Sequence, residues 1–396
     1  MTFLKNLTLS LLSFLLFLSL SFFGLAFTLN KTLLNPYFVA AEINRLDISS
    51  LAGEIISVQT PGGSPISLET TLVNTIPQLE PLLKEQVNAI IHSTYDYLLD
   101  KRQSLNLTLI LKDTILSPNF IVSLVDKLDV APLAGEYLKQ QFTGSIPPDM
   151  AFLKGYIDKY LDDAITALEP WLKEQVTAAA DPIVDYLVGE KQDLSVLISL
   201  EPAKKILKDQ LWQALLKSPP PELTIIPEAM REPLFDQLYQ QLSAQIPSTF
   251  KLDEKVLGTQ TRAQITQALA MTEETLAQAK QYVGYFQLGY KPLIGFILLL
   301  VLGIILIIRQ VRQTARYLGV PLLSYGALGY ISIFISDYFT RAALPLPGMP
   351  SSLNEWLPQF TNNLIAPMET FSLALLISGI VLLIVSFIYK SGQSSD

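Results

Sequence analysis

The stretch "FSLALLISGIVLLIVSFIY", Phe371 to Tyr389, carries no charge and is long enough to cross a bilayer as a helix. About 20 apolar residues suffice for that. A chain in hydrocarbon must satisfy its own backbone hydrogen bonds, so such a run is committed to helix. Three other stretches make the same demand. "LTLSLLSFLLFLSLSFFGLAFTL" spans Leu7 to Leu29, "PLIGFILLLVLGIILII" spans Pro292 to Ile308, and "YLGVPLLSYGALGYISIFISDYF" spans Tyr317 to Phe339. The last is the weakest, because it contains Pro321, three glycines and Asp337. The first has a rival reading as a cleaved signal peptide, with Gly24 and Ala26 as small residues before a cut. It is longer than the roughly 7–15 residues of a signal core, which favours an uncleaved anchor. Either reading exports the long segment between the first and second runs.

Basic residues orient the spans, since lysine and arginine concentrate in cytoplasmic loops. If every span crosses, Lys5, Arg309, Arg312, Arg316 and Lys390 all fall on one side. Arg341 and Lys291 lie near the other. Residues 1–6 are then a cytoplasmic end and 7–29 the first span. Residues 30–285 are extracytoplasmic and 286–308 form the second span. Residues 309–316 are a cytoplasmic loop, 317–339 the third span, 340–370 an outer loop, 371–389 the fourth span and 390–396 a cytoplasmic tail. Tyr282, Tyr285, Tyr290, Tyr338 and Phe339 fit an interfacial aromatic belt. The chain carries a net charge of −8, with its acids concentrated in the long insert. Such a surface repels nucleic acid and anionic headgroups, so nucleic acid is not an expected partner.

Within the insert the chain repeats itself. "LEPLLKEQV", Leu79–Val87, returns as "LEPWLKEQV", Leu168–Val176, and the match runs without a gap from Leu79–Leu111 to Leu168–Leu200. Upstream, Asn35–Glu54 matches Ser117–Glu136. The insert therefore holds two copies, at 33–111 and 115–200, with a helical extension over 201–285. Apolar residues from Leu79 to Leu98 recur at spacings of three and four, which predicts helix. Pro81 and Pro170 suit a first helical turn, and Glu80–Lys84 and Glu169–Lys173 suit ion pairs one turn apart. Leu105–Leu111 and Leu194–Leu200 then alternate with period two, which predicts two strands sharing one small sheet. Each unit reads as helix–helix–strand, and the pair as a pseudo-twofold body around one core. Downstream, Leu200–Lys217, Met230–Ser243 and Gln260–Tyr285 read as helices, the last running into the second span. The expected fold class is mainly α with a small β-sheet, an α+β exported domain of two tandem repeats, plus four transmembrane helices.

Chemistry-bearing residues are few. The chain has no cysteine and a single histidine, which excludes disulfides, thiolate ligands and multi-histidine metal sites. His92 corresponds to Asp181 in the other copy, so it belongs to no symmetric site. Asp158, Asp162 and Asp163 lack the spacing of a calcium loop, and "PGGSP", Pro61–Pro65, reads as a turn. Glu80, Glu85, Glu169 and Glu174 form a symmetric acidic site if their helices meet; otherwise they are solvated. Asp337 is the one acid within a span, where acids mark ion paths, although water is within its reach. Asp337, Glu80 and Glu169 are the candidate functional residues, and no cofactor or metal is expected.

"LNPYFVAAEINRLDISSL", "LEPWLKEQV" with "DYLVGEKQDLSVLISLEP", "SPPPEL" and "YFQLGYKPLIGFILLL" together resemble a group of bacterial multi-span membrane proteins with a duplicated extracytoplasmic domain. The group has no established activity, so the resemblance implies architecture and no mechanism. One span, a large exported domain and three further spans is also similar to FtsX- and MacB-type permeases. Their loop between the second and third spans meets a cytoplasmic ATPase; "RQVRQTARYLG" is short by comparison. Three functions are expected in turn. The leading one is a non-enzymatic envelope protein binding a partner protein, a lipid or a cell-envelope polymer. The second is a permease-like or force-transmitting subunit partnered by an ATPase. The third is a membrane hydrolase.

Overall fold

The computed structural model describes residues 2–59, 66–127, 152–219, 227–244, 246–257, 260–343, 346 and 348–389. Pro61–Pro65, residues 128–136 of the second copy's matched segment, residues 220–226 and Lys390 lie outside these residues. The described chain is mostly helical with one two-stranded sheet. It divides into two compact units.

The first unit comprises Met1–Leu51, Asn88–Leu105 and Glu274–Asp396. Among the described residues, four helices are long and apolar enough to cross a membrane. They are α1 (Thr2–Lys31), α11 (Thr261–Ile308), α12 (Val311–Ala343) and α13 (Ser351–Ile388). Thr261–Glu273 of α11 belongs to the second unit and its remainder to the first. Helix α11 is continuous, as its sequence predicts. Leu9, Leu16 and Leu20 of α1 pack with Leu300, Ile304 and Ile308 of α11 and with Leu318 and Tyr325 of α12. These residues recur one or two turns apart, so each helix presents a stripe to its neighbours.

Helices α12 and α13 approach most closely through glycine. A Cβ on Gly326 would stand 2.4 Å from the Leu376 backbone nitrogen, and one on Gly379 2.5 Å from that of Leu323. In lipid there is no hydrophobic force between helices, so close backbone approach through small residues supplies the attraction. The glycines that weaken the third run as a hydrophobic sequence are therefore what bind it to the fourth. Two stretches expected between spans are helical. Arg312 and Arg316 sit on α12, not in a loop over 309–316; Arg309 takes a left-handed φ of 57° and the helix resumes at Val311. Residues 351–370, expected in an outer loop, are the first half of α13, which follows Pro350 and tolerates Pro358 and Pro367.

Beside this bundle lies α2 (Pro36–Arg45), whose N-cap Asn35 accepts a hydrogen bond from the Tyr37 N–H. Its partners in the first unit are the end of α4 (Ile66–Leu98) and the start of α13. The Tyr37 ring meets His92 edge-on at 5.0 Å, Asn88 donates to Asn44 at 3.1 Å, and Phe38 faces Phe360. His92 thus packs against an aromatic ring.

The second unit comprises Ala52–Val87 and Asn106–Glu273. Between them α3 (Ile48–Gln59) and α4 cross from one unit's residues to the other's. The second unit's core gathers Leu161, Ile165 and Leu168 of α7 (Phe152–Leu187), Leu207, Leu211 and Leu215 of α8 (Glu201–Lys217), and Phe235, Leu238 and Tyr239 of α9 (Glu228–Ser243). No residue of the first copy enters this cluster. The expected pseudo-twofold core is accordingly not found among the described residues; the second copy packs mainly with the helical extension downstream of it.

The sheet is also corrected. Strand β1 (Ser195–Ser199) pairs antiparallel with β2 (Thr249–Asp253), from Ser195 opposite Asp253 to Ser199 opposite Thr249. The matching run in the first copy is helix α5 (Leu107–Asp113). Asn106 caps it by accepting from the Leu109 N–H, and the Glu273 carboxylate accepts from the Leu107 N–H at 2.7 Å. Two free helical N–H groups are satisfied this way, which no strand partner offers. Pro81 and Pro170 lie inside α4 and α7, not in their first turns. Each removes one backbone hydrogen bond from its helix.

Other features of the copies do coincide. Helix α6 (Pro118–Lys127) matches α2 in length and in its leading proline. Helices α4 and α7 end at the matching residues Leu98 and Leu187. Each is closed by the same turn, in which the N–H groups of Lys101 and Arg102 donate to the Asp96 carbonyl, and those of Glu190 and Lys191 to the Asp185 carbonyl. Asp100 (φ 61°) and Gly189 (φ 88°) occupy the same left-handed position, a frequent way to close a helix. Asp185 also takes an ion pair from Lys112 of α5 at 2.9 Å and another from Lys191 at 2.9 Å.

Candidate functional site

Beyond Gly329 the small residues on α12 give way to Tyr330, Ile333 and Phe334, and between α12 and α13 a groove of about 340 Å³ opens. Its α12 wall runs Tyr330, Ile333, Phe334, Asp337, and its α13 wall Asn362, Ile365, Glu369. Both sets recur at three- and four-residue intervals, so each wall is one helix face. Asp337, singled out in the sequence, is half-buried and already engaged within the protein. The structure adds a second carboxylate, Glu369, exposed on the opposite wall. Two acids, one amide and a phenol lining one groove with Ile333, Phe334 and Ile365 suit a cationic group attached to an apolar body.

One turn of α13 serves two sites. Asn362 lines the groove, while Asn363 turns to Glu42 on α2. The Asn363 amide donates to both Glu42 oxygens, at 3.1 and 3.3 Å, and Arg45 pairs with the same carboxylate at 2.5 Å. The Trp356 indole N–H donates to the Glu42 backbone carbonyl at 2.9 Å. Glu42 is only 2% exposed. A buried carboxylate is tolerated when it is paired and hydrogen-bonded, and this one is both. It fixes the helix that carries Asn362. Glu42 is not among the sequence candidates, yet the sequence holds its signal. The matching position in the other copy is Leu124, so one copy places a charge where the other places an apolar side chain.

Glu80 and Glu169 have no part in this groove. Each closes on the lysine one turn later, Glu80 with Lys84 at 2.6 Å and Glu169 with Lys173 at 2.9 Å. Glu85 and Glu174 are exposed. Among the described residues no three His, Asp or Glu side chains are grouped to hold a metal. Comparison with known proteins finds no matching family, no matching curated protein and no matching solved structure.

Proposed function

We propose that the chain is a four-span protein of the cell envelope, belonging with the bacterial multi-span group that its sequence resembles. In this reading the insert between the first two spans is an extracytoplasmic domain grown from two tandem repeats, and both ends of the chain are cytoplasmic. The protein acts by binding: the groove at Asp337 and Glu369 takes the amine-bearing headgroup of an envelope lipid, with Ile333, Phe334 and Ile365 against its acyl portion. The reading is carried by one observation, the carboxylates of Asp337 on α12 and Glu369 on α13 lining one interhelical groove together with Ile333, Phe334 and Ile365.

Native mass spectrometry of the full chain, extracted with its lipids, tests the binding. Phosphatidylethanolamine should be retained preferentially by the parent and lost from the double variant Asp337→Asn, Glu369→Gln. Equal retention by both would sink the reading. Orientation has its own test, made simple because the chain has no cysteine. In sealed right-side-out vesicles an impermeant maleimide should label Lys205→Cys and spare Gln310→Cys.

A further inference from the structure

The opposite end of the same bundle carries a different site. Between α1 and α12 lies a groove of about 490 Å³. Asn6, Ser10 and Ser13 line it from α1, and Gln313, Arg316 and Tyr317 from α12. Asn6, Ser10 and Ser13 are spaced four and three apart, so a polar stripe runs down one face of an otherwise apolar helix. Other hydroxyls on α1 are spent on their own helix: Thr8 donates to the Leu4 carbonyl, Ser19 to Leu15 and Ser21 to Phe17. Ser13 instead crosses to the Tyr317 carbonyl at 3.0 Å and ties the two walls together. Among the described residues, the exposed side chains of Asn6, Ser10, Gln313 and Arg316 make no hydrogen bond or ion pair within the protein. The lining thus offers unspent N–H and O–H donors around one guanidinium, and no carboxylate.

That donor set matches a phosphate. An arginine fork reads two oxygens at once, and hydroxyl and amide donors can take the rest. We propose that this groove binds a phosphate-bearing anion, either the headgroup of an anionic phospholipid or free phosphate. The inference rests on the bundle's lying in a membrane, not on which side its ends face. Arg309 lies at the same end of the bundle but spends its Nε–H on the Leu306 carbonyl and does not line the groove. It therefore separates a built site from a merely basic surface.

The full chain is placed in nanodiscs of phosphatidylcholine alone, with added phosphatidylglycerol, or with inorganic phosphate, and thermal unfolding and retained lipid are read. Phosphatidylglycerol should stabilise the parent and be retained. Arg316→Gln should weaken retention about tenfold or more, Ser10→Ala should weaken it less, and Arg309→Gln should leave it intact. Stabilisation by inorganic phosphate that needs Arg316 identifies a soluble anion as the source. If Arg309→Gln and Arg316→Gln act alike, or Ser10→Ala has no effect with either anion, the site is refuted. Arg316→Gln should leave retention of phosphatidylethanolamine by the acidic groove unchanged, so failure here is distinct from failure of that groove.

Discussion

Gly326→Ala is the sharpest test of the bundle, because two known effects oppose each other. In an isolated helix alanine is favoured over glycine by about 1 kcal/mol. Here the new methyl carbon would lie 2.4 Å from the Leu376 nitrogen and 2.6 Å from its Cα. Both are backbone atoms, so no side-chain rotation relieves the clash and α12 and α13 must separate by about 1 Å, which forfeits roughly a quarter to a half of each dispersion contact between them. Each contact is worth only about 0.1–0.2 kcal/mol, so a few tens of them together lose on the order of 1–3 kcal/mol, the size usually found for overpacking. The clash therefore outweighs the propensity gain, and thermal unfolding in micelles should show destabilisation. Gly303 is the control, since a Cβ there meets nothing within 4 Å; Gly303→Ala should be neutral or stabilising. Gly379→Ala should behave like Gly326→Ala, and the double variant should lose less than the sum, because helices already parted admit the second methyl. If Gly326→Ala matched Gly303→Ala, the glycine contact between α12 and α13 would be wrong.

Two further outcomes concern the polar contacts. Asn363→Ala removes both amide bonds from the buried Glu42 carboxylate and should cost about 1.5–3 kcal/mol, whereas Glu42→Leu combined with Asn363→Leu should recover much of it; thermal unfolding that ranks the double variant below the single one would contradict this. Lys112 beside Asp185, helped by Lys191, holds the Asp185 carboxyl below its usual range, and its two acidic partners, Glu190 first, raise Lys112. A depressed acid stabilises the fold above its unfolded value of about 3.9 and loses that contribution as pH falls through the folded value. Lysine's share persists until pH passes about 10.4. Lys112→Met should therefore cost about 1 kcal/mol at neutral pH, discounted for partial exposure, with the gap closing in acid below about pH 4. A gap that stays constant from pH 7 to pH 3 would refute the pairing.

The spans are legible in the sequence because lipid accepts few alternatives, and long uncharged runs declare themselves. Helix ends are less so. Arg312 and Arg316 look like loop residues beside an apolar run, yet both are good helix formers and nothing stops α12 before Val311. The run Leu105–Leu111 misleads because it satisfies both periods: Leu107, Ile110 and Leu111 also share a helix face. What decides it is Glu273, far along the chain, which no local pattern reveals. Asp337 stands out as an acid in a span, whereas Glu369 lies just ahead of its apolar run and looks like ordinary flanking polarity. Glu42 becomes visible only by asking where the two copies disagree. That comparison is available in sequence, but it acquires meaning once the position is known to be buried.

The contact between Glu42 and Asn363 also sets an order on how the protein is made. The two residues lie 321 positions apart, which at about 5–20 residues per second is roughly 15–65 s of synthesis. Residues Asn106–Glu273 of the second unit emerge within that interval, so its core can close while Glu42 still lacks its amide partner. Until α13 is made, α2 carries a carboxylate with Arg45 for company and has reason to stay in water. Helix α13, made long after α2, is thus the one that makes burial of Glu42 favourable, and a chain halted before Asn363 should hold a finished second unit and an unfinished first.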